Sequence, residues 1–148
     1  MERKDFIKTC GFACLGGIGM ATFLESCSTI KTGSGTILGS DLVVPLTDFE
    51  TSGGGKKYFK KYIILNQEQL KYPICVYRFD EHNYTALWMA CTHQGAELQV
   101  FGDKLQCPAH GSEFNNKGLM QNGPADTNLR TFPVIIEQNQ IKISLKAV

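Results

Sequence analysis

The 148-residue sequence predicts an all-β domain over residues 41–148, and three observations carry that prediction. From Asp41 onward, short runs rich in Val, Ile, Leu, Tyr and Phe recur, the residue types that fit a pleated, half-buried surface. Each run is bounded by Gly, Pro, Asn or Asp, which accommodate turns. Outside the N-terminal segment, no stretch keeps a helical period long enough for a helix. Hydrophobic residues make up 43% and aromatics 10%, enough to build a core for one domain with extras. Net charge is +1, and the 15 basic residues are spread along the chain, so nothing points to nucleic acid.

Residues 1–27 read as an export signal. Arg3, Lys4 and Lys8 give a basic start, and Cys10 to Leu24 is a small-residue and apolar run of 15 positions. Spanning a bilayer takes about twenty. Leu24-Glu25-Ser26-Cys27 resembles a bacterial lipobox, which implies lipidation of Cys27, although Glu25 is unusual inside such a box. Arg3 to Lys8 resembles a twin-arginine signal with Lys4 in place of the second Arg. The other reading of this segment is a short membrane-anchor helix. Ser28 to Ser40 is rich in Gly, Ser and Thr and reads as a flexible tether, spanning roughly 20 Å as a random coil. An early edge strand through Thr36-Ile37-Leu38 is the alternative.

The folded part begins with Leu42 to Leu46, which Pro45 confines to a sheet edge or a strand end. A turn at Ser52 to Gly55 leads to a strand from Tyr58 to Leu65. Pro73 to Phe79 is the next, and Asp80 to Asn83 turns the chain into Tyr84 to Ala90. Gly102-Asp103 reads as a tight hairpin between Val100 and Leu105. Residues 115–127 are polar and Gly-rich. Val134 to Glu137 and Ile141 to Leu145, joined by Gln138-Asn139, make a closing hairpin. In this frame His82 is a solvated loop residue, Trp88 belongs to the core, and Cys75 is a buried thiol.

The chemistry lies between Cys91 and Phe114, in CTHQGAEL and CPAHGSEF. Cys-x-His at 91–93 and Cys-x-x-His at 107–110 present two thiolates and two imidazoles on two short loops. The same four side chains could make a tetrahedral zinc site. Two features favour a two-iron cluster instead. A glycine follows each pair (Gly95, Gly111), which lets backbone approach closely and turn N–H groups toward sulfur. One Cys and one His per loop also suits a cluster in which one iron takes both Cys and the other both His. Of the six cysteines, Cys10, Cys14 and Cys27 lie in the N-terminal segment and Cys91 and Cys107 in these boxes. Only Cys75 remains, so the domain has no spare pair for a disulfide.

The two boxes resemble those of the Rieske family, C-x-H-x-G-x-x-L and C-P-x-H-G-x-x-F, at every fixed position. The resemblance covers about residues 41–148. It implies a stack of small antiparallel sheets, with a cluster lobe (about 84–128) inserted into a base lobe. It also implies a 2Fe-2S cluster held by Cys91, His93, Cys107 and His110. Gly123-Pro124-Ala125 resembles the family's proline loop, with Asp126 where respiratory members have a second Pro. Two neutral imidazole ligands imply a potential between about −150 and +300 mV, with electron uptake coupled to proton uptake at their outer nitrogens. Ser112 matches a hydroxyl that bonds a bridging sulfide in high-potential members, and Phe114 stands where those members carry a Tyr bonded to a Cys sulfur. Ala96 and Ala109 stand where quinol-oxidising members carry a disulfide. An intermediate potential is therefore expected. The implied function is one-electron transfer in a redox chain of the bacterial envelope, on the periplasmic side, with a lipid anchor at Cys27. The partners expected are redox proteins, a cytochrome or a quinol, and no nucleic acid. The chain is expected to be a carrier or an oxidoreductase subunit rather than a complete enzyme. A Rieske subunit of a quinol-oxidising complex is one rival, and a zinc-stabilised binding module is the other.

Overall fold

A computed structural model describes residues 32–146. The segment read as an export signal, with Cys27, lies outside the described residues. Three four-stranded antiparallel sheets and one separate hairpin make up the domain. In chain order the strands are β1 (Thr36–Leu38), β2 (Asp41–Pro45), β3 (Glu50–Gly53), β4 (Lys56–Phe59), β5 (Tyr62–Leu65), β6 (Ile74–Arg78), β7 (Tyr84–Trp88), β8 (Gln99–Phe101), β9 (Lys104–Gln106), β10 (Glu113–Asn115), β11 (Met120–Asn122), β12 (Thr131–Phe132), β13 (Val134–Glu137) and β14 (Gln140–Ser144). The sheets run β1-β2-β14-β13, β12-β7-β6-β5 and β11-β10-β9-β8, with β3-β4 as the hairpin. One turn of 3-10 helix, Leu46–Phe49, follows β2.

The middle sheet explains the stacking. Side chains alternate across a strand, and here both faces are covered. Ile63, Leu65, Ile74, Val76 and Ala86 join Leu42, Val44, Ile141 and Ile143 in one core. Their sequence neighbours Cys75, Tyr77 and Leu87 pack on the opposite face with Leu98, Leu105, Phe114, Cys91 and Cys107. The β6 sequence is accordingly apolar at successive positions, as a strand buried on both faces must be. Cys75 is a fully buried free thiol. Trp88 sits edge-on between Tyr72 and Phe132, with ring centroids 5.7 and 5.6 Å away, which makes it a core residue. His82 is exposed in its turn.

The third sheet is an insertion. The chain leaves the middle sheet after β7, builds β8 to β11, and returns as β12, which pairs with β7 itself. β7 thus belongs to the base, and the inserted lobe begins beyond Trp88 rather than at residue 84.

Three expectations change. From Thr32 on, the stretch read as a tether is part of the fold. Thr32 bridges Ile64, and β1 pairs with β2 from Thr36 to Leu38. Gly33 and Gly35 are there for space: a Cβ on Gly33 would lie 2.7 Å from the Leu65 side chain. The strand expected from Tyr58 to Leu65 is two strands. β4 pairs with β3 and β5 with β6, and at the break the Lys60 N–H donates to the Phe49 carbonyl while the Lys61 carbonyl accepts from Arg78. The polar stretch after the second box holds β11, which hydrogen bonds to β10. Pro45 ends β2, and the Gln138-Asn139 turn closes β13 on β14 with Gln138 at a φ of 53°.

Candidate metal centre

The two box loops fold alike because their glycines sit at the same place. In each, the Cys N–H donates to the carbonyl of the residue five positions on, Ala96 or Ser112, at 2.8 Å. The glycine four positions on returns its N–H to the Cys carbonyl, at 2.8 Å for Gly95 and 2.9 Å for Gly111. Closing such a turn needs a left-handed residue, and φ is 71° at Gly95 and 79° at Gly111. β8 and β9 hold the loops side by side, since Leu98 leads into one strand and Cys107 leaves the other.

This arrangement brings sulfur to sulfur and ring to ring. The Cys91 and Cys107 side chains interact with each other, and both are buried. The His93 and His110 rings stand edge to face with centroids 5.1 Å apart. His110 is exposed and His93 half-buried, so the pair lies at the surface end of the site with the sulfurs beneath. Among the described residues, no three His, Cys, Asp or Glu side chains are grouped to hold one metal ion. The donors come as two pairs.

Backbone amides aim at the sulfurs. Burial pushes both thiols up. At Cys107 the amide of His110, the Cys91 thiol and the amide of Ala109 outweigh burial and leave the group below its ordinary value. At Cys91 the amide of His93 and the hydroxyl of Ser112 only partly offset burial, and the group stays raised. These N–H groups belong to the residues between Cys and Gly, while the glycines' own N–H groups are used to close the turns.

The third wall is the segment after β11, which carries a cis Gly123-Pro124 bond. Each box loop clamps it once. The Ala125 N–H donates to Ser112 Oγ at 3.0 Å, and Thr92 Oγ1 donates to the Thr127 carbonyl at 2.8 Å. Ser112 is completely buried, with one lone pair taken by Ala125 and its hydroxyl turned to the Cys91 sulfur. Phe114 is also completely buried, in the core that includes both cysteines. Sequence reasoning missed Tyr72, whose hydroxyl donates to the Gly95 carbonyl and braces the first loop from the base. It lies outside both boxes, and no motif marks it.

His93 Nδ1 supplies the fit test for a metal group. It is buried and has no hydrogen-bond partner among the described residues. A buried ring nitrogen without a partner is costly, and a metal ion would remove that cost. Two soft thiolates on one side and two imidazoles on the other match the donor set of a two-iron cluster with unlike irons. A single zinc would need the four to converge.

Comparison with protein-family models supports this reading. The family model described as the Rieske 2Fe-2S domain matches residues 54–133. The cytochrome b6-f complex iron-sulfur subunit of Prochlorococcus marinus (strain NATL1A) is 36% identical over 56 residues, covering 36% of this chain and 32% of that protein. Ferredoxin CarAc of Metapseudomonas resinovorans is 32% identical over 76 residues, covering 49% of this chain and 70% of that one. The solved plasma membrane Rieske protein PetC3 from Synechocystis PCC 6803 is 28% identical, with a TM-score of 0.49, covering 57% of this chain and 86% of that one. The matches span between 24% and 32% of the length of the first curated relatives.

Proposed function

Because this chain belongs to the Rieske 2Fe-2S domain family, whose cluster is its cofactor and whose work is electron transfer, we propose that Cys91 and Cys107 hold one iron, that His93 and His110 hold the other, and that the chain is a one-electron carrier. The observation that carries the assignment is the pairing of sulfur with sulfur and ring with ring, together with the orphaned His93 Nδ1. When bound, such a cluster takes up and releases one electron at a potential raised by its neutral imidazole ligands. The residues around it do the tuning. Amides of His93, Ala109 and His110 direct partial positive charge at the thiolates, and the Ser112 hydroxyl adds another donor. These interactions strengthen as negative charge accumulates, so they favour the reduced state. The exposed His110 ring gives a route for an electron to leave and a nitrogen for a proton to join.

The test is the midpoint potential against pH. It is expected to fall by about 59 mV per pH unit where one proton accompanies one electron. A potential flat from neutral to strongly alkaline pH would overturn the histidine assignment.

A periplasmic carrier anchored at Cys27 is the fuller reading, supported by the lipobox-like ending of the N-terminal segment. Among the described residues no helix is long and apolar enough to cross a membrane. Cys27→Ser is expected to release the protein from the membrane fraction, and a variant that stays membrane-bound and uncleaved would refute lipidation. The second reading, a Rieske subunit of a cytochrome complex, is favoured by the likeness to the Prochlorococcus subunit. Alanine at both 96 and 109 weighs against it, because no covalent bridge can join the two loops there.

A further inference from the structure

We propose that the β3–β4 hairpin is a membrane-docking surface that rests on anionic phospholipid headgroups. This goes beyond the electron-transfer reading and depends neither on it nor on lipidation of Cys27.

Every residue of β4, Lys56–Phe59, is exposed, and Tyr58 and Phe59 show 52% and 51% of their surface. Among the described residues, β3 and β4 pair only with each other. Lys60 and Lys61 follow, so 4 of the chain's 15 basic residues lie within six positions around two half-exposed rings. The register sets Thr51 opposite Tyr58 and Gly53 opposite Lys56. One face therefore presents Tyr58, Lys56 and Thr51, with no acid on it. The other carries Phe59, Lys57 and Glu50, and the Arg78 guanidinium stacks 4.0 Å from the Phe59 ring. Of the nearby acids, Glu81 lines the hollow beside Phe59 and Glu50, and the others are engaged. Glu50 meets Lys57 at 3.2 Å and Asp103 meets Lys61 at 3.6 Å, both as exposed pairs. The Asp48 carboxylate is bonded by Ser34, and its backbone carbonyl accepts from Lys60. Pairs this exposed bind weakly and leave the lysines available. Cationic side chains interleaved with aromatic rings suit the level of lipid headgroups, where rings sit in the interface and ammonium groups meet phosphate.

Position separates a membrane from an electron-transfer partner. Lys61 reaches Asp103, in the turn of the β8–β9 hairpin, whereas the cysteine loops lie at the other ends of those strands. Three residues of strand put about 10 Å between them. A redox partner would approach the histidine end. The hairpin also lies on the side from which the described chain starts. Thr32 bridges Ile64 in parallel, so its N-terminal end faces the Lys61 end of β5.

The experiment uses the full chain with Cys27→Ser, loaded with its cluster, in co-sedimentation with mixed phosphatidylglycerol–phosphatidylcholine vesicles and with pure phosphatidylcholine vesicles. The parent is expected to bind the anionic vesicles more tightly and to be released by salt. Lys56→Gln with Lys57→Gln is expected to lower the partition coefficient about 25-fold at low salt, at about fivefold per lysine. Tyr58→Ser should weaken binding at low and high salt alike. Equal binding to both vesicle types, or hairpin variants that bind as the parent does, would overturn the proposal. Loss of polyglutamate binding in the lysine variant with vesicle binding unchanged would assign the surface to an acidic protein, and would overturn it too. The cluster's absorption spectrum, recorded for every variant, separates a failed hairpin from a failed metal site.

Discussion

Alanine at Cys91, His93, Cys107 or His110 is expected to abolish the red-brown colour, the acid-labile sulfide and the paramagnetic signal of the reduced protein. Each loop supplies one ligand to each iron in the proposed assignment, so any single loss leaves one iron without half its protein donors. The structural consequence differs between the pairs. Cys91 and Cys107 are buried in the core under the inserted lobe, at 3% and 2% exposure. Without the cluster, two buried thiols face each other there. Metal binding supplies folding free energy to such a lobe, so the cysteine variants should also open it to proteolysis near 91–98 and 107–112. His110 is exposed, and its loss should cost the cluster with less damage to the lobe. Measured iron and sulfide at the parent's stoichiometry in any of the four variants would refute the ligand assignment.

Phe114→Tyr is expected to raise the midpoint potential by roughly 40–90 mV, since about 1–2 kcal/mol of the about 1.5–3 kcal/mol of a hydrogen bond to a charged group is gained on reduction, and a tenfold shift in a one-electron equilibrium is about 59 mV. Ser112 and Phe114 are two positions apart on extended chain, so they share a side of the strand. That side faces the sulfurs, because the Ser112 hydroxyl bonds Cys91 and the Phe114 ring packs in the same core. A hydroxyl on this ring would add a donor where negative charge accumulates, favouring the reduced state. Ser112→Ala should lower the potential by a similar amount, and it also strips the Ala125 N–H of its acceptor. A potential within about 10 mV of the parent in Phe114→Tyr, with the spectrum unchanged, would show that the new hydroxyl misses the sulfur.

Much of this site is local, and therefore legible in sequence. Cys91, His93 and Gly95, like Cys107, His110 and Gly111, lie within a few residues of each other, and the left-handed glycine closes each turn with a hydrogen bond inside its own loop. The strands at 42–45, 74–78, 84–88 and 140–144 were equally visible, because their apolar runs meet turn residues at both ends. Elements with short or polar runs were less so. β1, paired with β2, was legible only as the alternative to a tether, and Thr32, bridged to the remote Ile64, and β11, paired with β10, lie in segments whose Gly and Asn content reads as loop.

By itself, then, the sequence determined the four side chains proposed as donors, the two loops that present them and the all-β character of the chain, since residue type and short-range spacing suffice for each. Tertiary structure alone decided which donors meet. The β8–β9 register sets sulfur against sulfur and ring against ring. It also decided that Tyr72, far from both boxes, braces the first loop, and that the chain changes partners at Lys60-Lys61. The reason is physical. Hydrogen bonds and burial between residues remote along the chain depend on where sheets stack, and that stacking is settled by the cores on both faces of β6 and β7.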